Sequence, residues 1–403
     1  MGKAVIVAFL SILFYLTNLL GGGQQQLPPV NEPAVQHSYG VLGQQAIVLP
    51  ERAVLRHAPD SQGEIVGTIM QNEAVLILDE RAGWYKIKPE SQTEGWIPKY
   101  AVGLTQVEKS TSEKIILGYY SGEQQAYESL LAQSPQLTGI APLRWRLTQD
   151  GTVLNEFEPE KIGRGLYFAG NQKLGTYAYL GLPPDPEAFL DQDVLWADSF
   201  AAIENAITEW GLKGVLLDSG ALTQKRLFDF ASGLRTHLRE QGLLTLLALE
   251  WEQELDWAAA AEGADLIIVN TADLTAAAAG PLASTADVRE MLSSIVQKTA
   301  PEKIILGLAN VGLDWSETGQ PTVLSHGEVL ELAARRGADI KWDNASQTPY
   351  FRYGAGHEVW FENRYSIKHK LELAAEFRLA GVAFMQFGLE DPDVWNVLAE
   401  TYN

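Results

Sequence analysis

Gly214-Val215-Leu216-Leu217-Asp218-Ser219-Gly220 decides the fold. An apolar run that closes in a carboxylate and a Gly-containing turn reads as a strand buried on both faces, delivering polar groups to a rim. Runs of the same kind flank it at Lys114 to Tyr120, Leu137 to Leu143, Leu174 to Leu180, Leu243 to Leu249, Asp265 to Asn270, Lys303 to Ala309 and Gly381 to Phe387. Helical patterns fall between them, among them Ala201 to Trp210, Gln224 to Gln241, Ala286 to Lys298 and Ser366 to Arg378. Alternation of this sort signals a parallel sheet wrapped by helices. Eight strands over roughly 290 residues match the count and size of a (β/α)8 TIM barrel, an α/β fold. The barrel is expected over residues 114–403, with an insertion at about 314–365 rich in Trp, Tyr and Phe.

Upstream, residues 40–104 carry short β-rich runs at Ala53 to Leu55, Ile65 to Ile69, Ala74 to Leu78, Trp84 to Ile87 and Gly95 to Ile97. Turn residues separate them, as in a small all-β barrel. Gln106 to Glu113 is a short polar linker, and residues 24–39, rich in Gln and Pro, read as a flexible tether. At the N-terminus, Lys3 precedes an apolar run from Ala4 to Leu20. Residues 1–23 therefore read as a secretory signal peptide or a signal anchor, with residues 4–20 as a possible membrane anchor. Either way the remainder is expected outside the cytoplasm, secreted or held at the membrane.

The 403 residues carry a formal net charge of -21, which disfavours nucleic-acid backbones and anionic lipid surfaces as partners. A neutral or cationic glycan suffers no such repulsion. With no cysteine, disulfides, thiolate metal sites, Cys nucleophiles and a lipoprotein anchor are all excluded. The six histidines show no metal-ligand spacing, and nothing calls for a metal or another cofactor.

Two resemblances sharpen this outline. Gly83-Trp84-Tyr85-Lys86-Ile87 and Gly95-Trp96-Ile97-Pro98-Lys99-Tyr100 resemble the bacterial SH3-type cell-wall module, which implies contact with peptidoglycan. On the bare residues, Trp84 and Trp96 equally well fill the core of the small barrel. In the large barrel, Lys114 to Gly122, Gly214 to Gly220, Pro301 to Trp315 and Val359 to Trp395 resemble glycoside hydrolase family 18. The likeness is to its branch of spore-cortex and cell-wall glycosidases, through Val359-Trp360-Phe361-Glu362, Ser366-Ile367, Lys370 and Gly388-Leu389-Glu390-Asp391-Pro392.

That resemblance implies hydrolysis assisted by the substrate. The sugar's own 2-acetamido oxygen attacks the anomeric carbon, a Glu protonates the leaving oxygen, and a neighbouring Asp orients the acetamide. Laid onto the family's Asp-Gly-x-Asp-x-Asp-x-Glu strand, only the third Asp survives, as Asp218. Lys213, Leu216 and Gly220 occupy the other acidic positions, and Gly220 stands where the acid belongs. Ala272, Val311 and Met385 replace aromatic residues of the family's sugar subsite, while Asp273 is retained. The implication is a sugar-hydrolase scaffold impaired in catalysis.

Several residues are candidates for what remains. Tyr119, Tyr120, Trp145, Asp218, Trp251, Asp273 and Gln386 are expected to contact carbohydrate, with Tyr350, Phe351 and Tyr353 in the insertion as further aromatics. For Trp145 and Trp251 the alternative is capping of the core. Asp218 either orients an acetamide or caps a helix or pairs with a cation at the rim. Glu250 and Glu252 flank Trp251 and, with Asp218, are the candidates for relocated catalysis; they read equally well as the first turn of a helix containing Glu254 and Asp256. Three functions follow. The leading one is an exported protein binding N-acetylglucosamine-containing glycan, either peptidoglycan or chitin-like. The alternatives are an active glycosidase using Glu250 or Glu252, and a structural or protein-interaction platform in the envelope.

Overall fold

The computed structural model describes residues 41–81, 83–90, 93–105, 114–220, 222, 225–251, 255–272, 278–316 and 320–402. The expected segments 1–23 and 24–39 and the linker 106–113 lie outside them. Among the described residues no helix is long and apolar enough to cross a membrane.

The N-terminal all-β region consists of β1 (Gln45–Val48), β2 (Arg52–Arg56), β3 (Ile65–Met70), β4 (Ala74–Arg81), β5 (Trp84–Pro89), β6 (Gly95–Pro98) and β7 (Val102–Leu104). They pair antiparallel in the order β3-β2-β6-β5-β4-β1-β7. Alternate residues point inward, so Val48, Leu55, Ile69, Ile77, Ile87 and Ile97 are buried together. Trp96 is 6% exposed and sits on the border of that core.

The large barrel begins with β8 (Ile115–Tyr120) and β9 (Gly139–Pro142), followed by the short hairpin β10 (Trp145–Leu147) and β11 (Val153–Asn155). It continues through β12 (Gly175–Gly181), β13 (Gly214–Asp218), β14 (Leu244–Glu250), β15 (Leu266–Asn270) and β16 (Ile304–Leu308). An antiparallel sheet interrupts the alternation here: β17 (Gly312–Trp315), β18 (Thr322–Leu324), β19 (Lys341–Asp343), β20 (Thr348–Tyr353) and β21 (His357–Phe361), in the order β18-β17-β21-β20-β19. Strand β22 (Gly381–Phe384) completes the barrel. Parallel pairing of β22 with β8, and of β8 and β12 with β9, closes eight strands into a ring. The (β/α)8 barrel expected from the sequence is borne out.

The close-set parallel strands need small residues at particular points. A Cβ on Gly214 would lie 2.1 Å from the carbonyl oxygen of Leu244, which no side chain tolerates. The barrel interior is filled, not open: Leu117, Ala141, Leu216, Leu246, Ala248, Ile268, Ile305 and Ala383 pack on its axis. Outside run α1 (Gln124–Gln133), α2 (Pro159–Asn171), α3 (Pro186–Leu190), α4 (Trp196–Glu209), α5 (Lys225–Arg239), α6 (Trp257–Gly263), α7 (Thr285–Ile295), α8 (His326–Arg336), α9 (Arg364–Glu376) and α10 (Val394–Tyr402). Helix α8 belongs to the insertion, where Val329, Leu332 and Ala333 cover one face of the antiparallel sheet at Phe351, Val359 and Phe361.

The small β region is packed directly against α1 and α2. Leu42 is fully buried, its carbonyl oxygen accepts from Asn171 Nδ2, and Tyr127 Oη donates to the carbonyl of Leu78 at 3.1 Å in a buried contact. The apolar core runs without a break from one region into the other.

Candidate functional site at the barrel mouth

Strands of a β/α barrel point their C-terminal ends toward the face where such proteins act. Period-two alternation carries the inward row of each strand up to that face. Leu216 leads to Asp218, Ala248 to Glu250, Ile268 to Asn270 and Ala383 to Met385, while Tyr119 and Tyr179 close the top of the packed axis. Tyr119 meets Tyr179 edge to face, with centroids 4.9 Å apart and planes at 62°.

Asp218 is the centre of this group. Its Oδ1 accepts from Gly220 N at 3.1 Å, and its carboxylate accepts from the hydroxyl of Tyr179. Burial pushes the carboxyl above the ordinary carboxylate range, and the two donors oppose that rise. Asp218 therefore neither caps α5, which begins at Lys225, nor pairs with a cation among the described residues. Leu216, fully buried two residues earlier, leaves Asp218 with no carboxylate below it to share a proton.

Two neighbouring polar atoms have nothing to bind. Tyr119 is 3% exposed, and its hydroxyl has no hydrogen-bond partner among the described residues; Asn270 Oδ1 is also buried without one. Burial first, and the charge of Asp218 second, hold the Tyr119 phenol well above its usual range. The Tyr179 phenol is raised for the same reasons, with Tyr119 and Glu250 adding smaller contributions. Glu250 thus stands within electrostatic reach of Tyr179. It ends a strand, whereas α6 starts seven residues later with Asp256 as its N-cap, accepting from Ala259 N at 3.0 Å. The first-turn reading of Glu250 is corrected accordingly.

At Gly220 the backbone turns left-handed, with φ of 55°, and, its chain neighbours aside, no atom of the described residues lies within 4 Å of where a Cβ would stand. Glycine suits that turn.

Other expected residues are placed as follows. Trp251 is 38% exposed beside Glu250 at the rim. Gln386 follows β22; its backbone is clamped by Asn310, which accepts from its N–H at 2.9 Å and donates to its carbonyl at 2.8 Å, and its Oε1 is buried without a partner. Asp273 and Glu252 lie outside the described residues.

Tyr120 and Trp145 point away from the mouth. Tyr120 alternates with Tyr119, is fully buried beneath α2 and donates to the carbonyl of Lys161 at 3.2 Å. Trp145 is 2% exposed, enclosed edge to face by Phe157 at 4.9 Å and Trp210 at 5.8 Å. Both rings are core, which corrects the expectation of sugar contact. In the insertion, Phe351 is buried against α8 and Tyr353 donates to Asp314 at 2.6 Å. Tyr350 faces the other way, stacked at 4.6 Å on Trp360 in a cluster that also holds Trp315, Ala272 and Leu389.

The acids after β21 and β22 are committed to structure. Glu362 pairs with Lys370 at 2.6 Å, with both nearly inaccessible. Glu390 accepts from Ser129 Oγ, Trp395 Nε1, Gly388 N and Asn310 Nδ2. Asp391 takes a two-pronged contact from Arg364 at 2.9 and 3.0 Å. These bonds hold the loop after β22 in place.

Tyr179 is the residue of this candidate site that sequence reasoning missed. Its signal is the alternation Tyr177-Ala178-Tyr179-Leu180, which puts both tyrosines on the lumen row.

Comparison with known proteins agrees with this geometry. Residues 197–389 match the model of glycosyl hydrolases family 18, and residues 51–102 match the bacterial SH3 domain. A cortical fragment-lytic enzyme of Bacillus subtilis (strain 168) is 29% identical over 164 residues, which is 38% of this chain and 38% of that protein. The matched stretch thus spans well under half the length of that relative. Among solved structures, a chitinase from Chromobacterium violaceum ATCC 12472 superposes with a TM-score of 0.66 at 22% identity, over 72% of this chain and 98% of that one. The spore cortex-lytic enzyme SleL of Bacillus megaterium QM B1551 gives 0.66 at 22% identity, over 77% and 78%. At that identity the two structures speak for the fold.

Proposed function

We propose, for a chain that carries a family 18 glycosyl hydrolase domain and a bacterial SH3 domain, that it is an exported cell-envelope protein that grips N-acetylglucosamine-containing glycan at the barrel mouth without efficiently cutting it. Gly220 carries the reading: it stands two residues after the one surviving motif carboxylate and has no side chain, and among the described residues nothing fills the space where a proton donor would reach. A positioned acid contributes about 10²–10⁴-fold to such a step. The orphaned Tyr119 hydroxyl and Asn270 Oδ1, with Asp218 between them on the lumen row, suit an acetamide and sugar hydroxyls, and Trp251 offers a ring to stack on. Export is supported by the apolar run Ala4 to Leu20 and by similarity to a cortex-lytic relative. Titrating the purified protein with chitin oligomers and peptidoglycan fragments tests the reading. Binding that disappears in Asp218→Asn supports it, and no binding to either ligand overturns it.

One observation favours a second reading, an active glycosidase. Glu250 shares the lumen row with Asp218 and its charge is felt at Tyr179. Reducing-end release abolished in Glu250→Gln would establish it.

A further inference from the structure

The acids at the barrel mouth are not balanced by cations. The stretches of sequence joining β13 to α5, β14 to α6 and β15 to α7, each taken with the last residue of its strand, hold Asp218, Glu250, Glu252, Glu254, Asp256 and Asp273 and no Lys, Arg or His. The first cations of α5 are committed to other acids. Lys225 pairs with Asp229 at 2.7 Å, and Arg226 pairs with Asp191 and Asp193. Among the described residues Asp218 has two neutral donors, Gly220 N and the Tyr179 hydroxyl, and no cation.

Charge alone makes a patch, and two further atoms make a site. Tyr119, on the lumen row, is 3% exposed; its hydroxyl has no partner among the described residues, and the charge of Asp218 acts on it. Asn270 Oδ1, on the same row, is also buried without one. These atoms suit a ligand that enters from the mouth and brings hydrogen-bond donors. Hydrogen bonding by itself admits either an acetamide or an amine there; charge separates the two. A sugar seated over Asp218 takes more water from a carboxylate whose charged form burial already disfavours. A neutral acetamide supplies no countercharge for that loss. An ammonium does, and its three N–H donors match the carboxylate, the Asn270 oxygen and the Tyr119 oxygen.

We propose, resting on the reading that glycan enters the barrel mouth, that the sugar seated on Asp218 is a glucosamine whose 2-amino group is free and protonated. The preferred ligand is then a partly de-N-acetylated glycan, with an ammonium against Asp218 and acetamides on the sugars outside the mouth. The acidic surroundings draw such a polymer in and turn anionic ones away.

Calorimetric titration of the full chain slightly below neutral pH, where glucosamine is an ammonium, compares three oligomers of equal length, built from N-acetylglucosamine, glucosamine or lysine. The glucosamine oligomer is expected to bind at least about tenfold tighter than either of the others, by a margin that shrinks as salt rises. In Asp218→Asn it is expected to lose at least about tenfold in affinity, and with it the advantage over the acetylated oligomer. The lysine oligomer reports the attraction to a net charge of -21 that needs no site. Equal or tighter binding of the acetylated oligomer overturns the proposal and leaves the glycan reading standing. Lysine binding as tight as glucosamine, or an advantage unchanged in Asp218→Asn, also overturns it. Binding of neither sugar removes the glycan reading, and the proposal with it.

Discussion

Replacing Tyr179 by Phe isolates the contact that holds Asp218 at the mouth. The substitution removes one hydroxyl and keeps the ring packed on Tyr119 at 4.9 Å. In the native protein that hydroxyl is one of two donors to a half-buried carboxylate, the other being Gly220 N. A hydrogen bond to a charged group contributes about 1.5–3 kcal/mol, an ordinary one about 0.5–1.5 kcal/mol. Tyr179→Phe is therefore expected to cost about 1.5–3 kcal/mol at pH values where the Asp218 carboxyl is charged. The cost should fall to the ordinary range once acidification protonates the carboxyl, or in an Asp218→Asn background. Burial raises the Asp218 carboxyl, so the stability this residue contributes is full at pH below its unfolded value and is lost as pH rises through the folded one. Asp218→Asn should accordingly stabilise the protein at neutral pH, by a margin that closes on acidification. Urea unfolding of the four proteins of the cycle at neutral and acidic pH measures all of this. An equal cost of Tyr179→Phe in both backgrounds and at both pH values would refute the hydrogen-bonded, ionised Asp218.

Three further outcomes are expected. Gly220→Glu meets no steric obstacle among the described residues but imposes a left-handed turn on a non-glycine residue, so thermal or urea unfolding should show a loss of about 1–2 kcal/mol; a much larger loss would contradict that reading of its surroundings. Lys370→Met strands Glu362 as an unpaired buried charge, and should cost about 3–5 kcal/mol at neutral pH, whereas a joint Lys370→Met, Glu362→Leu protein should recover most of it. Tyr127→Phe leaves the Leu78 carbonyl without its donor between the two domains, and should cost about 1–3 kcal/mol by the same unfolding measurement.

Much of the barrel was legible because short apolar runs set between helical patterns suit a buried parallel strand and little else. All eight expected barrel strands overlap observed ones. The interior strand β1 and the edge strand β7 of the small domain, four and three residues long, carry no Gly-Trp signature of the kind that marks β5 and β6, and too few residues for a period to register. At the site, the position of Asp218 followed from its strand end, and its partner did not. A hydrogen bond between Tyr179 and Asp218 joins adjacent strands, and no local pattern encodes such a pair. For the misplaced Tyr120 the cause is parity: side chains alternate between lumen and helix layer along β8, and Tyr120 takes the opposite face from Tyr119. Trp145 instead opens β10, past the end of β9, where the alternation of the barrel strand no longer assigns a face. Tyr119 and Tyr120 are neighbours in sequence with opposite fates. The acids Glu362, Glu390 and Asp391, which carry much of the family likeness, serve to fix loops, so the likeness there records the scaffold more than the chemistry.

The most direct measurement pairs binding with turnover on one preparation: chitin oligomers and peptidoglycan fragments are titrated calorimetrically, and the same mixtures are assayed for newly formed reducing ends. If the barrel lacks its proton source, as proposed, it should give saturable binding with turnover at least about 10²-fold below that of a family 18 chitinase run alongside. Turnover matching that enzyme would contradict the account, and its abolition in Glu250→Gln would show where the acid had gone.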